Sequence, residues 1–162
     1  MDAKSLGQMI AGRKDELEAS KQKRQIAESL RQEQVKNKIA EAVKAFRTTL
    51  LPYFTEVKQN APEGWFTLDT KTSGTGSVGD VRAVTFKAAK GKTFQIEIDQ
   101  YGDIRVGKLV PGIRHVISIA YCGIGTIPSI TSADDITKEK LGKLIEFALI
   151  DDKESRVLYG HD

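Results

Sequence analysis

From about Arg13 to Leu51 the chain holds no Pro and no Gly, and its apolar residues recur at steps of three to five. Ile26 and Leu30 come first, then Val35, Ile39, Val43, Phe46 and Leu50. That spacing predicts one long amphipathic helix, built from the good helix formers Glu, Lys, Arg, Gln and Ala. The stripe is thin before Val35, where Leu17, Ile26 and Leu30 stand far apart among charges, and dense after it. The second half is therefore expected to dock on a core, and the first half to project or to pair with another helix. The step from Leu30 to Val35 breaks a strict heptad, which argues against a long regular coiled coil. Opposite charges three apart at Glu18/Lys21, Glu28/Arg31, Glu33/Lys36 and Glu41/Lys44 would each add roughly 0.2–0.5 kcal/mol on a solvated face. Pro52 is expected to end or kink the helix, with Tyr53–Gln59 continuing it for a turn or two.

From Gly64 the period becomes two. Strands are predicted at 65–71, 81–88, 93–99, 103–109 and 115–121, the third showing the clearest alternation, Phe94, Ile96 and Ile98 against Gln95, Glu97 and Asp99. Turn signals at Lys90-Gly91, Tyr101-Gly102-Asp103 and Pro111-Gly112 separate them. Links this short join antiparallel neighbours, since a parallel crossover needs about a dozen residues. A second helix comes after Ser132-x-x-Asp135, a capping box with Asp in place of Glu or Gln, and carries Ile136, Leu141, Leu144, Ile145, Ala148 and Leu149. Val157–Tyr159 could add a short edge strand. The expected fold is α+β: a long N-terminal helix, an antiparallel meander of about five strands, and a C-terminal helix on one face of the sheet. Residues 1–34 would form a projecting charged segment and 35–162 the α+β domain, with Trp65, Phe66, Phe86, Phe94 and Phe147 contributing to its core, not all from one face of a strand.

Composition narrows the chemistry. The net charge is +3, too small by itself to demand a nucleic-acid or membrane partner, and the excess lies in residues 1–60, with 12 basic against 8 acidic side chains. Cys122 is the only cysteine, which excludes an intrachain disulfide and a multi-cysteine metal site. His115 and His161 are the only histidines, too few for a His-rich metal site; no cofactor is implied. The first residues lack the apolar core of a signal peptide, and the longest uncharged stretch, from His115 to Ala133, carries Gly, Pro and hydroxyl residues unsuited to a membrane span. A cytoplasmic protein is expected.

Residues 74–81 read G-T-G-S-V-G-D-V, which matches both the G-x-G-x-x-G dinucleotide fingerprint and the Gly-rich loop of protein kinases. The first needs a helix next in the chain, but Val81–Ala88 reads as a strand. The second needs H-R-D and D-F-G motifs, which the chain lacks. A hairpin loop is the expectation. Cys122 ends a strand, yet His115, seven residues earlier, would lie ~20 Å away along an extended chain, so a buried inert thiol is expected. Asp99 and Asp103 read as turn residues, and Asp134 and Asp135 as helix-start residues.

Three functional classes remain. The favoured one is a non-enzymatic protein-interaction or oligomerisation module, acting through the long helix and the sheet domain, with Ile26, Leu30, Ile124, Ile127 and Ile130 as candidate contacts; for Ile124, Ile127 and Ile130 burial under the sheet is the favoured alternative, since a soluble chain seldom leaves three isoleucines in water. The second is nucleic-acid binding through Lys21, Lys23, Arg24, Arg31, Lys36 and Lys38. The third is a small enzyme using Cys122 or the loop carboxylates.

Overall fold

A computed structural model describes residues 2–72, 80–109, 117–118 and 128–158. It is an α+β structure in which α1 (Ala3–Ala45) runs through a π-helical turn, Phe46–Leu50, into α2 (Leu51–Asn60). Four antiparallel strands come next, β1 (Phe66–Thr72), β2 (Val81–Ala88), β3 (Thr93–Ile98) and β4 (Ile104–Lys108), with a two-residue β5 (Ile117–Ser118) beside β4. A short 3-10 turn, Ala133–Asp135, leads to α3 (Lys138–Leu158). The chain separates into two compact units, Met1–Asn37 and Lys38–Asp162.

Pro52 explains the π turn. It has no N–H to give to the carbonyl four residues back, and its ring would strike that carbonyl. The backbone instead widens, so that Leu51 N–H reaches Phe46 O five residues back; Pro52 then sits in the first turn of α2, where its missing donor costs little. The expected end or kink is a local widening, and the helix continues past Gln59 to Asn60. At its other end α1 begins at Ala3, ten residues before the expected Arg13, capped by Asp2, whose Oδ1 accepts from Ser5 N at 2.7 Å. That backbone N–H holds the Asp2 carboxyl below its ordinary range. Gly7 and Gly12 lie inside the helix, at a cost of about 1 kcal/mol each relative to Ala.

The sheet is a meander in the order β1-β2-β3-β4-β5. The expected fifth strand shrinks to two paired residues, Gly107 opposite Ser118 and Lys108 opposite Ile117. The register stacks Leu68, Phe86, Phe94 and Lys108 across four strands, and strand alternation puts Val84, Ile96 and Val106 on the same face. Against that face pack Ala42 and Val43 of α1, Phe46 and Leu50 of the π turn, Phe54 of α2, and Leu141, Leu144, Phe147 and Ala148 of α3. The rings form a chain: Phe54 meets Phe66 at 5.9 Å and Phe86 at 5.0 Å, Phe86 stacks on Phe94 at 5.6 Å, and Phe94 meets Phe147 at 6.1 Å. Each such pair adds about 0.5–1.5 kcal/mol beyond its burial.

Trp65 departs from the expected core. It precedes β1 and is 48% exposed, because alternation from buried Phe66 turns it to the opposite face. Val157 lies in α3, not in an edge strand: the helix that begins before Leu141 carries on through polar residues whose composition reads as a tail. The capping box forms as expected, Ser132 pairing with Asp135 in both directions, but it caps the 3-10 turn, and α3 proper starts at Lys138.

Candidate functional site

Helix α1 up to Asn37 is the least buried part of the described chain. Between Asp2 and Asn37 no side chain is buried; the first buried residues of α1 are Ala42 and Val43. Yet this stretch carries Leu6, Met9, Ile10, Leu17, Ile26 and Leu30, each between 47% and 70% exposed. At 3.6 residues per turn, Leu6, Ile10 and Leu17 fall within an arc of about 40°, while Ile26 and Leu30 lie roughly opposite Leu17. The apolar residues thus make two short patches on different sides of one helix. Ile26 and Leu30 are legible in the sequence; Leu6, Met9 and Ile10 are not, because Gly7 and Gly12 argue for a later helix start.

The expected basic surface is less coherent. Lys21, Arg24 and Arg31 share an arc of about 80°, whereas Lys23 and Lys36 lie outside it. Lys38 is committed: its Nζ donates to Asp103 Oδ1 at 2.6 Å, and that hydrogen bond raises its pKa. The intrahelical ion pairs also differ from expectation, forming at Arg13–Glu16 (3.2 Å) and Lys14–Glu18 (4.0 Å). Both are exposed and contribute at most a few tenths of a kcal/mol.

Of the loop carboxylates, Asp99, Asp103 and Asp135 are bonded to their own surroundings, Asp103 to Lys38. Asp99 Oδ1 accepts from Tyr101 N and Asp103 N, and its Oδ2 from Arg105 Nε at 3.1 Å, which closes the β3–β4 turn. Asp135 accepts from the Lys140 ammonium at 2.6 Å and from Thr131 N, Thr131 Oγ1, Ser132 N and Ser132 Oγ. The ammonium first, then the Thr131 N–H, hold this carboxyl well below the usual carboxylate range. Asp99 and Asp135 fasten loops, the role their positions suggest. Among the described residues no group of His, Cys, Asp and Glu could hold a metal ion, and no helix is long and apolar enough to cross a membrane.

Of the apolar loop candidates, Ile130 takes the buried alternative and is not available as a contact residue. It is 5% exposed and packs in the main cluster, drawn in where Ile104 N donates to Thr131 O beside β4. Ile124, Ile127, Cys122, His115 and His161 lie outside the described residues, as do residues 74–79 of the Gly-rich stretch. That stretch leads into β2, a strand, as the rejection of a dinucleotide fingerprint requires. Comparison with protein-family models, curated proteins and solved structures gives no match.

Proposed function

We propose that the protein is a non-enzymatic interaction module that associates with a helical partner, or with further copies of itself, through α1. The observation that carries this reading is the six large apolar side chains exposed along a helix that buries none of its residues between Asp2 and Asn37. Leaving them in water forgoes roughly 1.5–3 kcal/mol of burial each, and a helix partner laid along α1 would recover much of it. Two patches on different sides favour two helix contacts over a single coiled-coil seam.

The test is a set of full-length variants, Leu6→Glu with Ile10→Glu for the first patch and Ile26→Glu with Leu30→Glu for the second. These positions are exposed, so folding is expected to be unchanged. Sedimentation equilibrium should show a lower association state, or affinity capture from the source cells should lose a protein that the unaltered chain retains. If neither variant changes mass or captured proteins, the reading fails. The nucleic-acid reading of α1 is weaker, because its six cations do not share a face and Lys38 already has a carboxylate.

A further inference from the structure

A second surface lies in the α+β unit and is independent of α1. The chain has one tryptophan, and Trp65 sits half-exposed immediately before β1. Its carbonyl accepts from Ala89 N at 2.7 Å, which ties it to the β2–β3 turn. That turn is tight, Gly91 N donating to Ala88 O at 3.2 Å, and it forces Ala89 to φ +56°, the only left-handed non-glycine among the described residues. Such a backbone costs about 1–2 kcal/mol, and strain of this kind is concentrated at working sites. Its neighbour Lys90 holds its ammonium 5.6 Å from the centre of the Trp65 ring.

The β2–β3 turn is cationic, although Asp69 and Glu97 lie farther along the same face of the sheet. From Val81 to Ile96 the chain carries Arg82, Lys87, Lys90 and Lys92 and no acidic residue. Lys87 lies directly across from Thr67 on β1 and Thr93 on β3, and alternation puts it on the same side as Trp65. Lys87, Lys90 and Lys92 form no ion pair with a carboxylate among the described residues. An indole with lysines around it matches what single-stranded nucleic acid needs: a flat surface on which a base can stack, and ammonium groups for the flanking phosphates. An acidic peptide without aromatic residues, such as polyglutamate, could use the lysines but brings no ring to set on the indole.

We propose that Trp65 and the β2–β3 turn, with Lys87, Lys90 and Lys92, form a binding site for single-stranded nucleic acid, in which one base takes the place of the Lys90 ammonium over the Trp65 ring and Lys90 turns to a flanking phosphate. Because Trp65 is the sole tryptophan, intrinsic fluorescence of the full chain reads this site directly. Titration with an oligodeoxythymidylate of about ten nucleotides should quench it. The affinity should fall with salt at a log–log slope of about −2, three phosphates at ~0.7 each. Labelled-oligonucleotide anisotropy should show about a tenfold loss for Trp65→Ala, and a slope near zero for the triple variant Lys87→Glu, Lys90→Glu, Lys92→Glu, with circular dichroism confirming that both variants are folded. Three results would overturn the proposal: no quenching at low salt; equal binding of polyglutamate, which would mark an acidic-peptide surface; or binding that survives the triple variant but is lost with Lys21→Glu, Lys23→Glu and Arg24→Glu, which would place it on α1.

Discussion

Two glycines with nearly the same backbone allow one steric contact to be weighed by itself. Gly64 (φ +78°) and Gly102 (φ +84°) are both left-handed. A Cβ on Gly64 would meet nothing within 4 Å, so Gly64→Ala should cost only the conformational penalty, about 1–2 kcal/mol. A Cβ on Gly102 would fall 2.6 Å from Lys38 Cβ and 3.0 Å from Ile39 N. One neighbour there is helix backbone and the other is the first carbon of a side chain, so neither can swing away. Overpacking of this kind adds about 1–3 kcal/mol, and retreat of the β3–β4 turn would also part Lys38 from Asp103. Gly102→Ala should therefore destabilise by about 2–5 kcal/mol in all, which exceeds the Gly64→Ala loss by about 1 kcal/mol or more. Guanidinium unfolding monitored by Trp65 fluorescence measures both, with unchanged m-values confirming that only stability moved. Equal losses for the two variants would refute the close seating of the β3–β4 turn against α1.

Four further outcomes are expected from the same geometry. Phe54→Ala, which removes the ring joining Phe66 to Phe86, should cost about 3–5 kcal/mol in denaturant unfolding. Ala89→Gly should stabilise by about 0.5–1 kcal/mol, since relief of the left-handed strain exceeds the added chain entropy; a loss of stability would show that the turn is not strained. Asp135 has its carboxyl lowered in the fold, so it stabilises above the ordinary value of 3.8, and that contribution is lost as pH falls below it, where the unfolded chain takes up the proton first. The stability gap between the unaltered chain and Asp135→Asn, measured by urea melts across pH, should accordingly shrink on acidification. In α3, a Cβ at Gly142 would lie 3.0 Å from Tyr53 Oη; Gly142→Ala should gain more in the Tyr53→Phe background than alone, approaching the ~1 kcal/mol helix-propensity difference.

The period of the apolar residues carries most of the fold, because the sheet and helices bury one face each. Phe94, Ile96 and Ile98 alternate and are buried as alternation demands, and the dense stripe after Val35 packs on the core. Misreadings arise where a local rule meets a stronger tertiary one. The helix is expected only from about Arg13, where the glycine-free run begins, but Asp2 supplies a cap and the helix runs through Gly7 and Gly12. Pro52 reads as a break, but one wide turn absorbs it. Trp65 reads as core from either face of the sheet, but only the Phe66 face is covered by helices, and Trp65, just before β1, turns to the other side and is half-exposed.

The candidate surfaces are less legible than the fold, for a reason that Trp65 illustrates. A charge count sees Lys87, Lys90 and Lys92 as three cations diluted in a segment of near-neutral balance, and a hydrophobicity count sees Trp65 as one more core residue. Their meaning lies in a long-range pairing: the β1–β2 register sets Trp65 against Ala89, and the left-handed turn at Ala89 then brings Lys90 over the indole. No short window along the chain contains both halves of that contact. The exposed patches of α1 differ in kind, because their residues are local and the spacing of Ile26 and Leu30 is visible. The thin stripe before Val35 also predicts that the first half of α1 stays off the core; what a sequence window cannot show is that full burial begins only at Ala42 and leaves Leu6 to Leu30 exposed.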